Sequence, residues 1–240
     1  LAALLLAGRT VAAQEPLRGD AARLRPVSNT YDVVVTGDSG TMLVGRHRVE
    51  VQEAAFAGSP AWMVVDHRES FEPFVRITAA DTVLLGRDGL LPRRWDAHTG
   101  DARFVAAFTN DSVYGGATSP LARRTFTMAV PGTLLTSEGA LDALMQTLTL
   151  YPGWSARADM LVADLGGGRL VPVTLELAYE STLQLPAGSF AVWVVHVQGG
   201  GTHRWLWIDK ASGVVVRTET LSAHMPGMLV ERILSHPPAP

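Results

Sequence analysis

A serine in a tight polar segment is the first residue whose type and setting could support chemistry. Gly37–Gly40 reads GDSG. A nucleophile elbow places its serine between a strand and a helix. Here the residues after Ser39 alternate as a strand, and no histidine precedes Ser39. Because Gly, Asp and Ser are common turn residues, the segment is predicted to be a hairpin turn.

A hydrolase assembled from residues far apart in the sequence is a separate possibility. Its nucleophile, base and orienting acid would be Ser39, His47 and Asp66. Such a site works only if the fold brings the three side chains within hydrogen-bond reach. The sequence leaves this alternative open.

The chain has seven histidines, which could ligate a metal ion, although it has no cysteine. Local metal sites show a His-x-His pair or two histidines four residues apart on a helix. Neither pattern occurs, so we predict no metal site and no cofactor. The histidines are His47, His67, His98, His196, His203, His224 and His236.

An aromatic group near the C-terminus is the candidate binding site. Side chains two residues apart share one face of a strand, so His203, Trp205 and Trp207 should lie together. Trp193 is expected to neighbour them across the hairpin formed by the Gly199–Gly201 turn. Such a group is either ordinary strand packing or the wall of a site for an apolar ligand. We predict a ligand-binding role for Trp193, His203, Trp205 and Trp207.

The elements that carry these residues are mostly strands. In Val171–Tyr179, the residues Val171, Val173, Leu175, Leu177 and Tyr179 alternate with mostly polar positions, which predicts a strand with these five side chains on one face. Frequent Gly-rich turns between such segments predict hairpins and antiparallel neighbours.

One segment has helical spacing instead. Ser137 is a suitable N-cap, and the apolar residues that follow it recur at intervals of three and four. The helix is expected to cover a face or an open end of the sheet. The fold class is therefore predicted as mainly β, with a single curved antiparallel sheet or incomplete barrel and one covering α-helix. The apolar helix positions are Leu141, Leu144, Met145 and Leu148.

The N-terminus resembles a secretory signal peptide. Residues 1–8 read LAALLLAG, and small residues follow at Val11–Ala13. We expect residues 1–13 to be the signal peptide and residues 14–29 an N-terminal extension. The antiparallel domain should span residues 30–234 and precede a flexible Pro-rich tail at 235–240.

Composition excludes some partners. The 240 residues are 47% hydrophobic and 18% charged, with a net charge of −3. This charge provides no attractive field for nucleic acid. The apolar runs are shorter than the ~18 residues that a transmembrane helix needs, so no such helix is predicted.

Several segments resemble one family of exported bacterial proteins, known only as domain of unknown function 3108. The similar segments cover most of the chain beyond its N-terminus. The resemblance implies an envelope protein with a strongly curved antiparallel sheet, analogous to periplasmic lipoprotein carriers. It implies no activity and supplies no catalytic residues. The segments are Asp88–Arg94, Leu148–Gly153, Leu185–Val195, Trp205–Asp209 and Gly213–Arg217.

These features together favour a periplasmic or secreted bacterial protein without enzymatic activity. Its curved sheet is expected to bind a lipid, another apolar small molecule or an envelope protein. The alternatives are the hydrolase with a dispersed Ser/His/Asp site and a small outer-membrane barrel.

Overall fold

The computed structural model describes residues 17–38, 40–71, 78–130, 132–164, 167–222 and 226–237. These ranges contain one helix, α1 (Glu138–Met145), and fifteen strands. The strands are β1 (Val27–Gly37), β2 (Gly40–Phe56), β3 (Ser59–Ser70), β4 (Thr78–Gly86), β5 (Pro92–Thr99), β6 (Ala102–Phe108), β7 (Ser112–Ser119), β8 (Ala122–Ala129), β9 (Leu134–Leu135), β10 (Ser155–Asp164), β11 (Gly167–Leu185), β12 (Gly188–Gly199), β13 (Thr202–Asp209), β14 (Val215–Ser222) and β15 (Leu229–Leu234).

All fifteen strands belong to one sheet. Its order is β8-β7-β6-β5-β4-β3-β2-β1-β15-β14-β13-β12-β11-β10-β9. The neighbours are antiparallel, apart from the short parallel pair of β9 and β10. Most neighbours also follow each other in the chain, as the frequent turn signals predicted. β15 is an exception, because it pairs with β1 at the other end of the strand sequence. This pairing joins the N-terminal and C-terminal halves of the sheet.

The curvature of the sheet is visible in a contact between strands far apart in its order. β8 lies at one edge, whereas β11 is third from the other edge. Phe126 of β8 nevertheless packs against the start of β11, where a Cβ atom on Gly168 would lie 3.2 Å from the Phe126 ring. The two halves of the sheet therefore bend towards each other. This arrangement confirms the predicted curved antiparallel sheet with one helix.

The helix begins at the predicted cap. The Ser137 hydroxyl accepts a hydrogen bond of 3.2 Å from the backbone N–H of Ala140. The helix packs against β2 and β3, and seven of its eight residues are buried. It ends at Met145, before Leu148, and is therefore shorter than predicted. After its last turn, the Thr147 hydroxyl donates to the Leu144 carbonyl at 2.7 Å.

One predicted strand face is interrupted by a β-bulge. The register of β11 against β12 shifts between Leu177 and Tyr179. Leu177 pairs with Val195, but Tyr179 pairs with the adjacent residue Val194. A shift of one residue moves a side chain to the other face of the sheet. The expectation that Tyr179 shares a face with Leu177 is therefore wrong.

The described chain begins with a short segment that packs on the end of the helix. Leu17 and Leu24 are buried in the core. A Cβ atom on Gly19 would lie only 2.6 Å from the Thr147 hydroxyl oxygen, so a larger residue here would require the surrounding side chains to move. The predicted signal peptide, residues 1–13, lies outside the described residues, as do residues 238–240 of the predicted tail.

Candidate functional site

A group of mostly buried charged side chains lies between α1 and the sheet, with Arg68 and Glu138 as its partly exposed members. Cross-strand pairing places His47 beside Arg68 and Asp66 beside Asp81, all on the face that packs against the helix. We call this the helix face, and the other side of the sheet the opposite face. We define the buried charge cluster as His47, Asp66, Arg68, Asp81, Glu138, Asp142, Arg204 and Arg232.

Asp66 links the sheet to the start of the helix. One of its carboxylate oxygens, Oδ1, contacts His47 Nε2. The other, Oδ2, accepts a hydrogen bond of 3.2 Å from the backbone N–H of Gly139 in the first helical turn. The first turn leaves backbone N–H groups without helical partners, so a buried carboxylate satisfies one of them.

Arg232 links the last strand to the middle of the helix. Its Nη2 atom donates to Asp142 Oδ2 at 2.6 Å, and its guanidinium carbon lies 4.5 Å from the centre of the Tyr31 ring. Its Nη1 atom lies 3.3 Å from His47 Nδ1. Arginine only donates hydrogen bonds, so His47 Nδ1 is the acceptor and Nε2 carries the hydrogen that faces Asp66. Both ring nitrogens of His47 therefore have partners, Nδ1 in Arg232 and Nε2 in Asp66.

The cluster has more acids than permanent cations. Three guanidinium groups each contact a carboxylate: Arg68 with Asp81, Arg204 with Glu138, and Arg232 with Asp142. Asp66 is the fourth carboxylate, and its partner is the imidazole of His47. The cluster therefore has four carboxylates but only three guanidinium groups.

Burial shifts the pKa values of these acids in different directions. Desolvation raises the pKa of Asp81 to about 6, against the opposing effect of Arg68. Burial also raises the pKa of Asp142 despite its ion pair with Arg232. Burial disfavours the ionised form of Glu138 too, but Arg204 and Arg232 outweigh it and hold its pKa below the usual value. Asp81 is consequently positioned to take up a proton below neutral pH.

A cavity of about 360 Å³ adjoins the cluster on the helix face. Its apolar lining includes Val33, Val44 and Val230. Its charged lining includes Arg68 and Arg232. The volume falls in the range of ~300–1,000 Å³ that is typical of small-molecule sites.

A larger depression near the β2–β3 turn has a different character. Its volume is about 730 Å³, and Phe56, Arg87 and Arg93 border it. The two arginines form ion pairs there, Arg87 with Glu53 and Arg93 with Asp88, in which both acids are exposed. Surface ion pairs of this kind contribute little energy. None of the described polar residues that border this depression is buried, in contrast to those beside the 360 Å³ cavity.

The structure tests the geometry of the dispersed hydrolase. His47 and Asp66 do meet. Ser39 lies outside the described residues, and its described neighbour Gly40 is seven residues along β2 from His47, ~23 Å at the usual strand rise. With both ring nitrogens engaged, His47 has no free nitrogen to accept a proton from a nucleophile.

The aromatic residues predicted to bind ligand divide between the two faces. Trp205 pairs with His196, and Trp207 pairs with Val194. Trp193 instead pairs with Ile208, the residue adjacent to Trp207. Trp193 therefore lies on the helix face and the other three on the opposite face, which corrects the expectation that Trp193 adjoins them. Its ring contacts the Lys210 ammonium group at 3.8 Å.

On the opposite face, the remaining three residues have different surroundings. Trp207 is only 7% exposed, and the Arg217 guanidinium lies 4.9 Å from its ring centre. Trp205 is half-buried and stacks on His196 with ring centres 4.8 Å apart. His203 is also half-buried. The predicted ligand-binding role of these residues stays a prediction.

The sequence analysis missed most of the buried charge cluster, although it contained one signal. His47 alternates with Val49 and Val51, so it lies on an otherwise apolar strand face. Buried polar groups need partners. The identity of those partners could not be read locally, because Asp66 and Arg232 come from other strands.

The described residues contain neither a cluster of metal-ligating side chains nor a membrane-spanning helix. Within the ranges that the structure covers, no three His, Cys, Asp or Glu side chains are grouped so that they could hold a metal ion. Among the same residues, no helix is long and apolar enough to cross a membrane.

Several solved structures resemble this chain, and the first described here shows its fold. A β-barrel-like protein of the domain of unknown function DUF1849 from Brucella abortus has a TM-score of 0.58 at 10% identity, covering 89% of this chain and 97% of that chain. The hypothetical lipoprotein YmcC from Escherichia coli K12 has a TM-score of 0.35 at 15% identity, with coverage of 92% and 90%. An exported protein with a YmcC-like fold from Bacteroides fragilis has a TM-score of 0.38 at 9% identity, with coverage of 89% and 95%.

Comparison of the sequence with known proteins finds one family model and no curated relative. No curated protein matches the chain. A family model described as "Protein of unknown function (DUF3108)" matches residues 30–222.

Proposed function

The chain belongs to the DUF3108 family of proteins of unknown function, and from the geometry of its cavity we propose that it is a non-enzymatic binding protein of the bacterial envelope. Its ligand is an amphipathic small molecule with an apolar chain and an uncharged polar head. The single observation that carries this proposal is the cavity of about 360 Å³, which joins an apolar lining to buried polar groups.

The apolar part of the ligand is held by the valine side chains of the cavity. Val33, Val44 and Val230 come from three different strands and line the same space. Burying apolar surface contributes roughly 25 cal/mol per Å². A hydrocarbon chain in this cavity therefore gains affinity without any directional contact.

The polar head is recognised by the adjoining guanidinium groups. Arg68 and Arg232 both line the cavity. Guanidinium N–H groups only donate hydrogen bonds, so the polar head must supply an acceptor. Because the cluster already has an excess of carboxylates, a neutral acceptor such as a hydroxyl or ester carbonyl fits better than an anion. Monoacylglycerols have this chemistry.

Envelope location is supported by the N-terminal sequence. The apolar run at residues 1–8 and the small residues at Val11–Ala13 are typical of a signal peptide. Lipids and their breakdown products are abundant at the destination of an exported protein. Export and an amphipathic ligand are thus mutually consistent.

A second candidate site lies on the opposite face. His203 and Trp205 are half-buried there, although they do not belong to the cavity. This exposure favours a contact surface for an envelope protein. Trp207 would support this surface from beneath, while Trp193 belongs to the helix face.

A matched pair of variants tests the cavity proposal. Val33 lines the cavity, whereas its neighbour Val34 pairs with Leu43 on the opposite face. Val33→Phe fills the cavity, and Val34→Phe adds the same volume elsewhere. Ligand at 100 times its Kd stabilises a protein by about 2.7 kcal/mol, which is a rise in Tm of roughly 5–10 °C at this size.

Thermal melts with monopalmitoylglycerol provide the measurement. We expect the rise in Tm in the wild type and in Val34→Phe, and its loss in Val33→Phe. Palmitic acid, which carries an anionic head, should give a smaller rise. An equal rise in both variants, or none in the wild type, would refute binding in this cavity.

A further inference from the structure

Two histidines from neighbouring strands meet on the opposite face. His196 lies on β12 and His203 on β13, and the register pairs His196 with Trp205. His203 is two residues before Trp205, so it is the diagonal neighbour of His196. The Nε2 atom of His196 lies 3.2 Å from the Nδ1 atom of His203. The two ring planes are nearly parallel, at 11°.

This separation suits metal coordination. An ion with metal–nitrogen bonds of 2.0–2.1 Å holds two nitrogen ligands about 3.3 Å apart in a tetrahedral site and about 2.9 Å apart at neighbouring positions of a tetragonal site. The observed distance of 3.2 Å lies between these values. Rotation of the two side chains would then direct both lone pairs to one ion.

The contact between the two rings is a hydrogen bond, so one of the two contact nitrogens carries the hydrogen and the other accepts it. If the donor ring moves its hydrogen to its other nitrogen, both contact nitrogens become free ligands and no net proton is released.

We propose that His196 and His203 form a two-imidazole site for a divalent transition-metal ion, with water completing its coordination. Imidazole binds Cu²⁺ more tightly than Zn²⁺ or Ni²⁺, so Cu²⁺ is the preferred ion. This site is separate from the ligand cavity, and the proposal does not depend on the ligand.

The surroundings of the pair assist a cation. Glu176 pairs with His196 across β11 and β12, and Glu219 pairs with Trp205 across β13 and β14. Residues directly opposite in a sheet have their side chains on the same face. The two carboxylates therefore lie on the face that carries the histidines. Glu219 forms an ion pair with Arg217, so Glu176 is the carboxylate that attracts a positive ion.

Trp205 supplies a built-in reporter. Its ring stacks on His196 with ring centres 4.8 Å apart. A paramagnetic ion such as Cu²⁺ at His196 is close enough to quench its fluorescence. Trp205→Phe should therefore lose much of the quenching while it keeps the metal.

The experiment is a Cu²⁺ titration of the full chain, followed by fluorescence and by electron paramagnetic resonance. We expect one equivalent to bind with hyperfine structure from two nitrogens. His196→Gln and His203→Gln should each weaken binding by about tenfold or more, since loss of even an outer-shell partner costs 10–100-fold. His67→Gln is the control, because His67 is exposed on β3, away from the pair.

Circular dichroism of each variant confirms that the fold is intact. Excess EDTA should remove Cu²⁺ and restore the fluorescence of the wild type. Unchanged Cu²⁺ affinity in both His196→Gln and His203→Gln, or an equal loss in His67→Gln, would overturn the site.

Discussion

The Oδ2 atom of Asp66 accepts a hydrogen bond of 3.2 Å from the backbone N–H of Gly139. This bond joins the middle of β3 to the first turn of α1. The Asp66 carboxylate also contacts His47, and His47 contacts Arg232. The helix is thus fixed to the sheet by a connected set of buried charges, and the ligand cavity adjoins this connection.

Removal of the Asp66 charge should destabilise the fold strongly. Breaking a buried ion pair at one partner costs about 3–5 kcal/mol, because the other polar groups lose their compensation. We expect Asp66→Asn to lower the free energy of unfolding by this amount in urea titrations. Asp88→Asn is the control, since Asp88 forms an exposed pair with Arg93 and should change stability by less than about 0.5 kcal/mol. Equal small effects at both positions would contradict a structural role for Asp66.

Stability should depend on pH through Asp81. Its pKa is about 6 in the folded protein and 3.8 in the unfolded chain. The folded state therefore binds more protons between these values, so stability decreases as pH rises from about 4 to 6. The loss is about 3 kcal/mol. Asp81→Asn removes this titration, so its stability relative to the wild type should increase over the same interval. A constant difference between the two proteins would show that Asp81 has an ordinary pKa.

The two tryptophans on the opposite face should respond differently to truncation. Trp207 is buried under Arg217, so Trp207→Ala should cost about 3–5 kcal/mol. Trp205 is half-buried, and Trp205→Ala should cost less. If Trp205 also forms part of a binding wall, its loss should reduce the stabilisation by envelope lipid extract, while the part due to the cavity remains. Thermal melts with and without extract separate the two roles, and retention of the full extract effect in Trp205→Ala would remove Trp205 from the site.

Export can be checked independently of binding. We expect signal peptidase to cleave after Ala13, because small residues precede that bond. Mass spectrometry of the protein from the cell envelope should give a chain that begins at Gln14. A protein that retains residues 1–8 in that fraction would be incompatible with this prediction.

Local patterns in the sequence predicted the elements better than their contacts. The alternation in Val171–Leu177 and the cap at Ser137 each depend on neighbouring residues, and both agree with the structure. The bulge before Tyr179 left no clear local signal, so the face of that residue was mistaken. Local patterns act over a few residues, whereas a bulge is set by the partner strand.

The functional candidates depend on long-range register, which explains why the sequence did not reveal them. His47 and Arg232 are 185 residues apart in the chain and meet only because β15 returns to β1. His196 and His203 meet because the intervening turn fixes a diagonal pairing. Neither contact shows in local spacing until the strand pairing is known.

The most direct test of the central claim is methyl NMR during titration with monopalmitoylglycerol. Val33, Val44 and Val230 line the cavity, whereas Val34 is on the opposite face. Ligand in the cavity should shift the methyl resonances of the first three valines and leave Val34 unchanged. Shifts confined to Val34 and the Trp205 surface, or no shifts at saturating ligand, would contradict the assignment of the cavity as the binding site.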